Sequence, residues 1–223
     1  MALLTAQDQE AVRARLSAMD GRVTLLFFTL TIGQTEASIL ARQILKEIAA
    51  LSDRVIVEEL NFILDKEQVA AFQIADVPAI AVLQDGNDTG IRFLGAPAGY
   101  EFAALLDAIA LAGSRDSGLT NESKELIATR VTEPLDIQVF VTPTCPHCPR
   151  VVTLAHKMAL ENPLIRATCI EATEFLELSR KFSVNGVPKT VVNGTIEILG
   201  AVPEGTFVRT VLQDQGGVRN SVE

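Results

Sequence analysis

The chain has 223 residues, 48% of them hydrophobic, and a formal net charge of −9 at pH 7, which is enough apolar material for one large domain or two small ones. No basic cluster offsets the acidic balance, which argues against a nucleic-acid partner held through its phosphates, and no apolar run reaches the roughly 20 residues of a membrane span. The opening MALLTAQDQEAVRARLSAMDG is charged and helical where a signal peptide would be apolar, so a cytoplasmic protein without membrane contact is expected.

In chain order, a first helix is predicted over 6–19 with Thr5 as its N-cap. The apolar run VTLLFFTL, 23–30, reads as a strand, and QTEASILARQILKEIAAL, 34–51, follows with Ile39, Ala41, Ile44, Leu45 and Ile48 close to helical spacing. Then come a strand at 54–60, a helix at 66–74, a strand at 79–83, a turn at 85–90, a strand at 91–95 and a helix at 100–111. The polar stretch GSRDSGLTNES reads as a linker, with a unit boundary near Asp116. Beyond it the series repeats: a helix at 121–130 capped by Thr120, strands at 136–142, 165–171, 189–193 and 195–200, and helices at 149–162, 173–182 and 205–214.

Two registers support an internal duplication. FQIADVP ends at Pro78 and FSVNGVP at Pro188, each with Phe six residues before the proline and Val just before it; GAPAGYEF from Gly95 matches GAVPEGTF from Gly200. Two βαβαββα units are therefore expected, residues 1–116 and 117–223, of class α/β and sharing a mixed sheet covered by helices.

Cysteine occurs three times, at 145, 148 and 169. That is too few for a secreted disulfide framework, and in a reducing compartment a close pair points to catalysis or metal binding. Cys145 and Cys148, in TPTCPHCP, lie where the first strand of the second unit hands over to its helix. Unpaired N–H groups and the positive end of the helix dipole there favour a thiolate, the form that attacks disulfides. Cys148, Val151, Val152, Ala155, Met158 and Ala159 form one apolar stripe. Cys145 is thus expected to be the exposed nucleophile and Cys148 the shielded partner that resolves the mixed disulfide. His147 between them can favour the Cys145 thiolate or be a plain turn residue. Pro146 fixes φ near the helix start, and Pro149 falls within the first turn. Pro188 is placed opposite the pair; a cis bond there would set the Val187 backbone beside the sulfurs, ready to pair with an extended substrate segment. Val187, Thr144, Gly200 and Ala201 are the residues expected to contact substrate.

FVTPTCPHCP, AHKMALENPLI, IEATEF, FSVNGVPKT and GAVPEG together resemble the second unit of the two-unit, glutaredoxin-like protein disulfide oxidoreductases of the thioredoxin superfamily. The resemblance covers nearly the whole chain. It implies two thioredoxin folds on one extended sheet, a dithiol site at Cys145 and Cys148, a cis proline at Pro188, protein disulfide substrates and electrons from a thioredoxin-reductase-like flavoprotein. One departure is that the register of the cysteine pair falls, in the first unit, on IGQT, Ile32–Thr35, with no thiol. In this the chain resembles the N-terminal part of the flavin-containing alkyl hydroperoxide reductase subunit, and a peroxiredoxin joins the expected partners. The sequence contains no G-x-G-x-x-G, so no cofactor of its own is expected and any flavin belongs to a partner.

Other readings stay open. An electron-relay adaptor between such a flavoprotein and a peroxiredoxin fits the same residues. A zinc site would need Cys145, Cys148, Cys169 and His147 or His156 to converge; no metal is expected, and Cys169 reads as a small core residue. A non-catalytic protein-binding module would use the thiol-free first unit as its surface. The acidic residue that serves as proton shuttle in thioredoxins has Val139 in its register; Glu171, at the end of the second strand, can substitute for it or be a solvated loop carboxylate, the reading favoured here, which leaves the proton relay unassigned.

Overall fold

A computed structural model, describing residues 2–114, 116–213 and 215, contains the expected series twice. The first half runs α1 (Ala6–Leu16), β1 (Val23–Thr29), α2 (Glu36–Ala49), β2 (Val55–Asn61), α3 (Lys66–Ala71), β3 (Ala79–Gln84), β4 (Asn87–Leu94) and α4 (Glu101–Ser114). The second runs α5 (Asn121–Arg130), β5 (Leu135–Val141), α6 (Cys148–Glu161), β6 (Ile165–Glu171), α7 (Leu176–Lys181), β7 (Lys189–Val192), β8 (Ile196–Leu199) and α8 (Glu204–Val211). The hydroxyls of Thr5 and Thr120 accept from the N–H groups of Asp8 and Ser123, capping α1 and α5 as expected.

All eight strands form one mixed sheet in the order β2-β1-β3-β4-β6-β5-β7-β8. Within each half the first strand pairs parallel with the second and antiparallel with the third. The halves join where β4 lies parallel to β6, with Phe93 opposite Cys169. Each of these strands would otherwise present an unpaired edge of N–H and C=O groups, and the pairing removes both edges at once.

Alternation along the strands divides the core. Leu25, Phe27, Ile137 and Val139 face a layer built by α1, α2, α4, α5, α6 and α8, through residues such as Leu16, Ile44, Leu105, Ile127, Val151 and Phe207. Leu26 and Phe28 meet the α3 side, and Phe140, Ile170 and Val191 meet the α7 side. Helices cover both faces, which is why β1 and β3 are almost continuously apolar.

Several boundaries differ from the sequence expectation. β4 starts at Asn87 rather than Ile91, because the turn is only Asp85 and Gly86, both at positive φ (47° and 86°), and pairing resumes at once with Gln84 opposite Asn87. α4 continues to Ser114, into the expected linker, because Gly113 packs on Met19 and its carbonyl accepts from the N–H groups of Asp20 and Gly21. α1 stops at Leu16 rather than 19, and α7 spans Leu176–Lys181 rather than 173–182. α8 ends at Val211; residue 214, the expected end of that helix, lies outside the described residues. Among the described residues no helix is long and apolar enough to cross a membrane.

Candidate active site

β5 delivers the chain to the loop 142–147, where the Cys145 N–H donates to the Thr142 carbonyl at 3.1 Å. Cys145 and Cys148 are joined as a disulfide, S–S 2.09 Å and Cα–Cα 5.5 Å. The helix begins at Cys148 itself, with His147 as N-cap and Pro149 in the first turn. Cys145 therefore stands two residues before the cap, rather than at the helix start. His147 and Pro146 are exposed, and the His147 side chain makes no capping hydrogen bond.

The expected asymmetry of the pair has one correction. Cys148 is 0% exposed, but Cys145 is only 8% exposed, since its sulfur is tied to that of a fully buried residue. Cys145 is the more accessible residue of the pair without being an exposed one. The apolar stripe from Cys148 to Ala159 is buried along its whole length, and His156 is buried with it.

The Val187–Pro188 peptide is cis and Pro188 is buried. Its carbonyl accepts from the Gly200 N–H at 2.9 Å, which brings Gly200 beside the proline. Two grooves meet at Val187: one of about 550 Å³ reaches Thr142, Thr173 and Arg180, and one of about 490 Å³ is bordered by Pro188, Glu197 and Gly200. Thr144 and Ala201 are exposed. An extended segment crossing these grooves would pass the Val187 backbone.

The first half repeats this framework without the sulfurs. Val77–Pro78 is also cis, and the Pro78 carbonyl accepts from the Gly95 N–H at 2.9 Å. β1 matches β5 at seven residues, and α2 matches α6 at fourteen. Superposing those elements in sequence puts Cys145 and Cys148 on Gly33 and Glu36, one residue beyond the Ile32–Thr35 register. Thr35 caps α2 with its own hydroxyl, which accepts from the Ser38 N–H at 3.1 Å. A larger groove, about 880 Å³, lies here between Thr35, Val77 and Pro78 on one side and Leu176 and Glu177 on the other.

One buried acidic residue next to the segment that contacts the cysteine loop was not found from sequence. Glu101, the first residue of α4, is 1% exposed. The neighbouring backbone is pinned to the cysteine loop: the Tyr100 N–H donates to the Pro143 carbonyl at 2.9 Å, and Gly99 packs so closely on that carbonyl that no side chain fits. Burial pushes the Glu101 carboxyl up to about 7, with the Glu171 charge acting the same way and a hydrogen bond from the Cys169 thiol acting against it. Glu101 belongs to the first half and its carboxyl meets Cys169 of the second, so a reading within one unit has no signal for that contact. Glu171 is not a solvated loop carboxylate: it is 3% exposed and accepts from the Thr173 hydroxyl and the Glu174 N–H. Cys169 is buried at 3% exposure, and the His156 ring lies edge-on to Phe93 at 5.0 Å. Cys145 pairs with Cys148, Cys169 with Glu101 and His156 with Phe93, which divides the ligand set that a zinc site needs.

Residues 135–213 match the family model described as a thioredoxin domain. Over 195 residues, 86% of this chain, the sequence is 28% identical to the AhpF protein of alkyl hydroperoxide reductase from Staphylococcus epidermidis. Over 164 residues, 74% of this chain, it is 29% identical to the Escherichia coli AhpF protein. The chain spans about a third of the length of these curated relatives, 34% and 29%. Among solved structures, the NTD_N/C domain of the Enterococcus faecalis alkyl hydroperoxide reductase AhpF superposes with a TM-score of 0.87 at 25% identity, covering 93% of this chain and 99% of that one. A protein disulfide oxidoreductase from Aeropyrum pernix gives 0.86 at 26%, covering 96% of each chain. The resemblance read from the motifs is thus borne out: the fold is a thioredoxin-like pair on one sheet, a bonded Cys145–Cys148 pair is present, and the chain is similar to alkyl hydroperoxide reductase AhpF and to a protein disulfide oxidoreductase.

Proposed function

We propose that the protein exchanges its Cys145–Cys148 dithiol or disulfide with disulfides of other proteins, through a mixed disulfide at Cys145. The observation that carries this reading is the bonded pair at the entry to α6, with Cys145 at 8% and Cys148 at 0% exposure, in a half that also holds a cis Val187–Pro188 peptide. In the reducing direction the Cys145 thiolate attacks a substrate disulfide, forming one S–S bond and expelling the first substrate thiolate. Cys148 then loses its proton to the Glu101 carboxylate and attacks Cys145 Sγ. The second substrate thiolate leaves and takes a proton from solvent, and the protein is left as the disulfide. Pro146 and His147 sit beside the reacting sulfurs, where a cationic imidazole would favour the thiolate. Val187, with Thr144, Gly200 and Ala201, receives the substrate segment.

In this reading residues 117–223 hold the chemistry, while residues 1–116 cover the sheet edge and lend Glu101. A thioredoxin-reductase-like flavoprotein in the cytoplasm resets the disulfide. Similarity to a component of alkyl hydroperoxide reductase over most of this chain supports a peroxiredoxin as one protein substrate, which would make the chain an electron relay. Substrate trapping tests the reaction: Cys148→Ser should accumulate a covalent adduct with reducible substrate proteins on a non-reducing gel, and Cys145→Ser should not. Equal trapping by both variants, or none by either, would rule out Cys145 as the nucleophile.

A further inference from the structure

Cys169 sits in the middle of β6, with Phe93 of β4 on one side and Val139 of β5 on the other. Residues in register share a face of the sheet, and all three belong to the core cluster that holds Cys145 and Cys148. The Cys169 S–H donates to Glu101 Oε2 at 3.3 Å. Oε1 of the same carboxyl is buried without a hydrogen-bond partner. Among the described residues Cys169 is therefore the one donor the Glu101 carboxylate has. A carboxylate so far from water ionises, and keeps its orientation, only as its donors allow.

We infer that Cys169 is a positioning residue of the dithiol site: its thiol holds the Glu101 carboxylate in place to receive the proton that Cys148 releases. This rests on the exchange reaction and the role of Glu101 proposed above. The proton moves from Cys148 Sγ to a Glu101 oxygen as the Cys145–Cys148 bond forms and the bond from Cys145 to substrate breaks. Cys169 donates throughout and is neither oxidised nor reduced, so the substrate disulfide remains the only oxidant. Burial and the Glu101 charge drive the Cys169 thiol up, which keeps it protonated and a donor.

The groups acting on Glu101 are Cys169 and Glu171, both from β6. Of the helices packed on α4, α1 contributes Arg15, which pairs with Asp107, and α6 contributes Thr153, whose hydroxyl donates to Asp107. The other titratable groups on the buried face of α6 are Cys148 and His156, and the latter lies against Phe93. Removing the thiol thus leaves the Glu171 charge and burial unopposed, and both disfavour ionised Glu101.

The test is the pH profile of single-turnover insulin reduction by the pre-reduced protein, together with the titration of the Glu101 carboxyl carbon by 13C NMR. The NMR signal is assigned by its loss in Glu101→Gln. Cys169→Ala should move both midpoints to higher pH by about half a unit to one unit, a loss of about threefold to tenfold in rate on the acid side. Cys169→Ser, which keeps a donor, should restore both. Should alanine leave too large a void for folding, Cys169→Val fills the space without a donor and should show the same upward shift. Unshifted midpoints in the donor-free variant, while Glu101→Gln flattens the profile, would overturn the role of Cys169 alone. An unchanged profile in Glu101→Gln would overturn the role of Glu101, and this inference with it.

Discussion

At the scale of single residues, the molecule holds several ionisable groups in surroundings that strongly favour one protonation state. His156 is the extreme case: it is 1% exposed and packed on Phe93. Burial drives its pKa down to about 3, with the nearby Arg92 backbone opposing only slightly, and neither ring nitrogen forms a hydrogen bond of good geometry. Folding therefore requires the neutral ring. In the unfolded chain the imidazole takes up a proton near its ordinary value of 6.5, so this residue lowers stability progressively as pH falls from about 6.5 toward 3. Above that window it contributes no pH dependence. His156→Phe should remove this component, so that the difference in denaturation midpoint between variant and parent grows in the variant's favour from pH 7 to pH 5. A constant difference across those two values would show that His156 does not stay neutral in the folded protein.

At the scale of elements, the contact between α4 and the cysteine loop links the halves at the place where chemistry is proposed. Gly99 has φ +59° and faces the Pro143 carbonyl with no room for a Cβ. Gly99→Ala combines the left-handed backbone cost with a clash against backbone, and should destabilise the protein by about 2 kcal/mol or more. Because the displaced atoms belong to the loop that carries Cys145, exchange should slow as well. A thermal melt and an insulin-reduction rate check this, and an unchanged melt would mean that the loop relaxes freely. The same elements mark what the sequence could reveal. The apolar period of α6 gave its buried face apart from His156, and the Val-Pro repeat supported the cis bond expected at Pro188, because these signals are local; the cis bond at Pro78 was not expected. The start of β4 was missed because Asn87 and Asp88 have turn composition but are held in the ladder by pairing with Gln84 and Leu83 of β3. The end of α4 was missed because Gly113 is retained in a helix by Met19, a contact from far along the chain.

At the scale of the whole molecule, one sheet carries two thioredoxin-like halves with unequal equipment. The second half has Cys148 as the first residue of a helix whose cap makes no side-chain hydrogen bond, with Cys145 just before that cap, whereas the first has a helix closed by Thr35 and no cysteine. What the first half brings across the junction of β4 and β6 is a buried carboxyl, Glu101, bonded to Cys169 and proposed to receive the proton of Cys148. The duplication and the cysteine pair were legible because they lie in contiguous stretches. Glu101 and its thiol partner were not, since their separation of 68 positions is closed only by the fold. The central claim is that Cys145 and Cys148 cycle between dithiol and disulfide. Its most direct test is to equilibrate the full chain against graded glutathione buffers and read the bond by mass spectrometry. A single reversible two-electron transition, lost in Cys145→Ser and Cys148→Ser and kept in Cys169→Ser, is the predicted result. A pair that stays in one state across the whole series, or a transition that requires Cys169, would contradict it.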